Sequence, residues 1–253
     1  TIYFDFSGES LEWISTPLFA ASTPEYYSKS NAIAYLTPIS NSDKRYQKII
    51  DAALVGKDNF EHKNDKIDEY GWRHFGDIYA DHEALYDKKV ISHYNNQYDV
   101  IYGLLLQFFR SANFEWLKLA DALARHVVDI DIYHTKKDKA AYNGGMFWHT
   151  FHYMDAGTST HRSYSRLGKN SMEKFSYGVG GGPSNEHNYA TGLLYSYFLT
   201  GDPLFKDAVL SLGNWVIDMD DGRKSVFRFF SHKPTGKASQ SGSISDTDYS
   251  RQP

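Results

Sequence analysis

The chain has no cysteine. That removes thiolate nucleophiles, disulfides, cysteine-ligated zinc and iron–sulfur clusters together, and leaves His and carboxylate as the only metal-binding chemistry. Long apolar runs are missing too: nothing approaches the roughly 18 residues of a membrane span, so no membrane partner is expected. The opening TIYFDFSGES has neither the basic start nor the apolar stretch of a signal peptide. An excess of one charge is also lacking. With 27 basic against 31 acidic residues and a net charge of −4, binding to nucleic acid through phosphate neutralisation is not expected. A lack of apolar material, the mark of disorder, does not apply: 41% of 253 residues are hydrophobic, enough for one large core or two small ones. Aromatic residues are plentiful at 16%, including 20 Tyr and 5 Trp. Their flat apolar faces and polar edges suit sugar rings as well as a core.

Residues 1–42 read as a β-like, irregular connector, with TIYFDF alternating in period two and NAIAYLTPI running to a proline. Helical character starts near residues 43–54. Between 97 and 131 it is strong: Val100, Ile101, Leu104, Leu105, Phe108 and Phe109 fall on one face only in a helix. After the break SAN a second stripe follows, with Trp116, Ala120, Leu123, Ala124, Val127 and Val128. The pair reads as an αα-hairpin.

The same unit returns 89 residues later, Gly103 to Asp131 lying without a gap over Gly192 to Asp220. Eight positions are identical, among them Gly103/Gly192, Phe109/Phe198, Leu123/Leu212 and Asp131/Asp220, and Trp116/Phe205 keeps an aromatic in register. A repeated helical hairpin is the sequence sign of an α-toroid or α-solenoid. The expected fold is mainly α: (α/α) toroid-type hairpins over residues 43–231 forming a partial ring, after the short β-like N-terminal segment. The Ser/Gly-rich tail, 232–253, reads as a polar loop or disordered stretch. Two hairpins and part of a third do not close a ring, so the chain is expected to be a segment of a longer, multidomain protein.

Nine of the eleven histidines fall between residues 74 and 187. Several cluster in ISHYNNQYD before the first hairpin, in YNGGMFWHTFHYMDAGTSTHRSYSR between the hairpins, and in GVGGGPSNEHNY before the second. In a repeat protein such segments share a face, where sites are built. His, Tyr, Asn and Arg without a paired carboxylate suit proton abstraction beside a carboxylate, as in β-elimination of a uronic acid. Tyr94, His149, His152 and His187 are the candidates for proton transfer. Asn95 and Asn96 could donate to the acid group, Arg162 and Arg166 could clamp it as bidentate partners, and Trp148, Tyr153 and Tyr189 could stack on the sugar. Asp77, Asp81, Glu83 and Glu186 would fix His tautomers and orient Arg.

A glycoside hydrolase needs two carboxylates roughly 5–10 Å apart, and the sequence singles out no such pair. HTFH lacks the carboxylate of HExxH, so no metal site and no cofactor is assigned, although a divalent cation on His and carboxylate ligands stays open. GVGGGPSN fits neither phosphate-binding glycine motif. A non-catalytic carbohydrate-binding or scaffold repeat is the remaining alternative.

The stretches YGWRHFGDIYADHE (70–83), SHYNNQYD (92–99), ARHVVDIDIYHTKKDKAAYNGGMFWHTFHY (124–153), THRSYSR (160–166) and GGGPSNEHNYATGLLYSYFLTGD (180–202) resemble the exo-rhamnogalacturonan lyase-like family, polysaccharide lyase family 26, and its bacterial relatives. That resemblance implies a multidomain enzyme with β-rich domains around an (α/α) toroid, releasing unsaturated galacturonosyl-rhamnose from a pectic backbone. A polysaccharide or oligosaccharide would be the partner, together with the remaining domains of a longer chain. An extracellular or periplasmic location follows if the polysaccharide reading holds.

Overall fold

The structure, a computed structural model, describes residues 6, 19–57, 59–71, 74–78, 90–93, 95–137, 143–147, 150–153, 183, 185, 187–220, 237–240 and 248–251. These residues are mainly helical. The first helix, α1 (Pro24–Ser30), starts where Thr23 caps it: the Thr23 hydroxyl accepts the amide of Tyr26, and Pro24 supplies a preset φ at the first helical position. α2 (Lys44–Val55) starts on Asp43, whose carboxylate accepts the amides of Arg45 and Tyr46, and α3 (Phe60–Ile67) starts on Asn59.

The β-like connector is thus corrected over its described part. Residues 19–42 hold α1 and a 3-10 turn (Ile39–Asn41) and no strand, whereas TIYFDF, apart from Phe6, lies outside the described residues. NAIAYLTPI cannot run extended because Asn31 and Tyr35 both take positive φ, 55° and 60°. This segment is fastened to the helices by Arg110, which donates to the carbonyl of Thr37 at 2.8 Å, the side chain of Gln107 at 2.7 Å and the hydroxyl of Ser42 at 2.9 Å.

The two helical hairpins form where the repeat places them. A short strand β1 (Val90–His93) precedes the first, α4 (Val100–Ser111) and α5 (Phe114–His126). Ala112 in the left-handed conformation stops α4, and the Asn113 side chain caps α5 by accepting from Glu115 at 3.1 Å. After strand β2 (Thr150–Tyr153), α6 (Thr191–Thr200) and α7 (Pro203–Asp220) make the second hairpin. There Gly201, φ 69°, ends α6 and Asp202 caps α7 through the amide of Leu204 at 3.0 Å.

α4, α5, α6 and α7 share one core around Ile101, Leu105, Phe108, Ala120, Leu123, Leu193, Phe205 and Leu212, all 1% exposed or less. Aromatic contacts extend it: Tyr27 of α1 meets Phe109 edge-on at 4.9 Å, and Tyr102 packs on Tyr195 at 5.3 Å between the first helices of the two hairpins. α4 and α6 approach so closely that a Cβ on Gly192 would lie 2.5 Å from the amide nitrogen of Tyr102.

β1 pairs antiparallel with β2, Ile91 opposite His152. The tail expected to be a polar loop contains a second antiparallel pair, β3 (Lys237–Gln240) with β4 (Asp248–Arg251).

Candidate functional site

The segments before the two hairpins meet at one junction, built on Asn95, Asn96 and Asp99. Asn95 (φ 48°) and Asp99 (φ 56°) take the left-handed backbone that Asn and Asp tolerate best, which folds NNQYD into a tight turn. Asn96 accepts the amide of Ile101 at 3.1 Å and donates to the carbonyl of Tyr189 at 3.0 Å. Asp99 caps α4 through Tyr102 at 3.3 Å and reaches the amide of Gly192 at 3.1 Å with each oxygen, so one carboxylate holds the starts of α4 and α6. Burial raises the pKa of Asp99 even though these amides oppose the shift. Asn95 donates to the carbonyl of Phe147, tying the junction to the segment before β2.

On this junction stand two aromatic groups and an imidazole. Nδ1 of His187 lies 2.6 Å from the hydroxyl of Tyr189, and the Tyr98 ring is 6.3 Å from that of Tyr189. Tyr98 is largely exposed, while His187 and Tyr189 are half-buried. Either the phenol or the imidazole N–H donates in this contact, according to the tautomer.

Of the residues expected to form the site, His187, Tyr189, Asn95 and Asn96 are therefore brought together. Both asparagine side chains are fully buried and their amides are engaged by the protein's own carbonyls. His152 and Tyr153 lie on β2, paired with Ile91 and Val90. Tyr94, Asp81, Glu83, Trp148, His149, Arg162, Arg166 and Glu186 lie outside the described residues.

Asp77 does hold a histidine, one the sequence reading left out of the site. Behind the junction His126 is buried between two carboxylates, its Nε2 3.3 Å from Asp77 and 3.5 Å from Asp131, while Nδ1 is 3.1 Å from the carbonyl of Phe75. The Phe75 carbonyl only accepts, so Nδ1 carries a proton, and the two carboxyl groups beside Nε2 favour the doubly protonated ring. Burial opposes that charge, but Asp77 and Asp131 outweigh it and hold the pKa well above the ordinary imidazole value.

Two local features produce this cluster. Val127–Asp131 is a π-turn, closed by the Ile132 amide on the Val127 carbonyl at 2.9 Å, and its wider turn swings Asp131 back over His126. Gly76, φ 90°, lets the 75–77 turn lie against α5; a Cβ there would sit 2.3 Å from the Ala122 carbonyl oxygen. The available sequence signal was a histidine in an apolar stripe where the second copy has Trp215.

Among the described residues no group of three or more His, Asp or Glu is arranged to hold a metal ion, and no helix is long and apolar enough to cross a membrane. What the fold and site define is a mainly helical protein with two helical hairpins and a polar junction at their starts. No protein-family model matches the chain, and a comparison with curated proteins finds no match.

Proposed function

We propose that the chain is the helical part of a carbohydrate-active protein that cleaves a uronate-containing, pectic polysaccharide by β-elimination. The observation that carries this reading is the His187–Tyr189 pair at the junction of the two hairpins. β-Elimination needs a group that takes the C5 proton, a donor that returns a proton to the departing O4, and no water. In this reading Tyr189, deprotonated toward His187, takes the C5 proton. The electron pair forms the C4=C5 double bond, the C4–O4 bond breaks, and His187 or a neighbouring tyrosine protonates O4. Arg162 and Arg166 would neutralise the acid group, Tyr94, His149 and His152 would be further proton carriers, and Trp148 would floor the ring. A glycoside hydrolase is the second reading; of its candidate carboxylates, Asp77 is engaged with His126 and the amide of Ile78 and Asp99 with the amides of Tyr102 and Gly192, while Asp81, Glu83 and Glu186 lie outside the described residues.

The hairpins are read as part of an (α/α) toroid. Phe109 and Val128 of the first hairpin are 3% and 4% exposed, whereas their equivalents Phe198 and Ile217 are 66% and 58% exposed. Asn185 and Asn188 stand where Asn96 and Asp99 grip the second hairpin, and each has a buried amide oxygen with no hydrogen-bond partner among the described residues. A further hairpin on α6 would cover the first pair and complete the second.

The test is incubation with rhamnogalacturonan while following ultraviolet absorbance of the conjugated alkene-carboxylate, a chromophore that hydrolysis does not create. Tyr189→Phe and His187→Ala should each lower kcat by about 10²–10⁴-fold. New reducing ends without the chromophore would overturn elimination. Sugar binding without turnover would favour a non-catalytic binding domain.

A further inference from the structure

The turn NNQYD holds one residue in a backbone that does not suit it. Asn95, Tyr98 and Asp99 all have positive φ, 48°, 60° and 56°. Short polar side chains tolerate this left-handed region, whereas a tyrosine enters it at a cost, and Gly or Asn would serve the turn better. Burial does not repay that cost, because the Tyr98 side chain is 74% exposed.

What the conformation does achieve is position. The Tyr98 ring stands 6.3 Å from that of Tyr189 with the planes inclined at 51°, and the Tyr189 hydroxyl is 2.6 Å from Nδ1 of His187. Rings inclined in this way do not lie face on face, so Tyr98 keeps an open face beside the imidazole and the phenol. The base is firm: Asn96 donates to the Tyr189 carbonyl and accepts the Ile101 amide, and Asp99 holds the amides of Tyr102 and Gly192. One turn therefore sets both tyrosines. A flat apolar face on a fixed base, with a polar edge, suits the C–H face of a pyranose ring. Strain alone does not mark such a residue, as Tyr35 shows: it has φ 60°, is 99% exposed, and its ring meets no other among the described residues.

We infer that Tyr98 is a sugar-stacking residue, its open face packing on the pyranose ring that adjoins the one at the His187–Tyr189 pair. The inference rests on the reading of the junction as a carbohydrate site and is independent of whether the cleavage is elimination or hydrolysis. It assigns Tyr98 to affinity and register along the sugar chain, with no part in proton transfer. An uncharged ring serves neutral and acidic sugars alike, unlike an arginine clamp.

Calorimetry of the whole chain with rhamnogalacturonan oligosaccharides, beside thermal melts, tests it. Tyr98→Phe keeps the ring and should bind within about twofold of wild type. Tyr98→Asn removes the ring and suits the backbone, so it should bind about five- to tenfold more weakly while melting about 2–4 °C higher. Tyr35→Asn should bring a similar rise in melting temperature with unchanged affinity. In turnover the Tyr98→Asn loss should appear in KM more than in kcat, whereas Tyr189→Phe acts on kcat. Unchanged affinity in Tyr98→Asn would overturn the assignment and leave the carbohydrate reading standing. Equal losses in Tyr98→Phe and Tyr98→Asn would overturn it by making the contact one of the hydroxyl. A Tyr98→Asn protein that melts below wild type would overturn it too, by making the ring a support of the fold. No oligosaccharide binding by wild type at millimolar concentration would overturn both the assignment and the carbohydrate reading.

Discussion

The two hairpins share a sequence pattern and end in different ways. In the first, α5 runs into a π-turn that brings Asp131 onto His126, and the end of the helix is fastened to Asp77 by a buried ionic cluster. In the second, α7 continues as one α-helix through Asp220, and the place of His126 is taken by Trp215, buried with Met219. Val127/Val216, Asp129/Asp218 and Asp131/Asp220 are identical in the two copies, so these residues do not impose the π-turn. The copies differ at 126 and 215, where a histidine between carboxyl groups stands in one and an indole packed with Met219 in the other, and also at Arg125/Asn214, Val128/Ile217 and Ile130/Met219.

The largest effects that can break this comparison come from paired truncations. Phe109→Ala should cost about 3–5 kcal/mol, since it opens a cavity in a full core, while Phe198→Ala at the equivalent exposed place should stay within about 0.5 kcal/mol. Chemical denaturation of both variants reads this; equal losses would show that α6 is covered as α4 is.

His126→Gln should cost about 3–5 kcal/mol at neutral pH, because two buried carboxylates lose their counter-charge. Its pH dependence has a definite sign. The folded pKa is raised well above the unfolded value near about 6.5, so the stabilisation is complete below that value and is lost as pH rises through the folded pKa. The gap between wild type and variant should therefore narrow in alkaline solution. A gap that widens with pH would contradict an imidazolium.

The glycine pair gives opposite signs. Gly192→Ala forces a Cβ within 2.6 Å of Asp99 and Ile101, and should destabilise by about 1–3 kcal/mol. At Gly103 an added Cβ meets nothing within 4 Å, so Gly103→Ala should stabilise by about 0.5–1 kcal/mol through helix propensity alone. Thermal melts of the two variants suffice, and a shift of the same sign in both would refute the close α4–α6 contact.

The smallest effect lies at the junction. Asp99→Asn keeps an acceptor for Tyr102 and Gly192 and removes a charge that burial disfavours, so stability should change by about 1 kcal/mol or less at neutral pH. Because burial raises the folded pKa of Asp99, protonation relieves the folded state. Wild type should therefore gain on the variant as pH falls toward the acid range.

By itself the sequence determined the four helices of the hairpins, their pairing and the chain breaks between them. Apolar spacing at 3.6 residues, Asn113 and Asp202 as caps and Gly201 as a stop are local signals that need no partner to act. The β-like reading of the N-terminal connector failed because Thr23-Pro24 starts a helix and two positive φ values break the apolar run, and turn chemistry of that kind outweighs period-two alternation. Within the candidate site, the closeness of NNQYD and HNY followed from the repeat. The double grip of Asp99 on α4 and α6 and the approach of Asp77 to His126 did not. Those were decided by tertiary structure: the partners stand up to 93 residues apart, and only burial, which removes water as the competing partner, makes such contacts count.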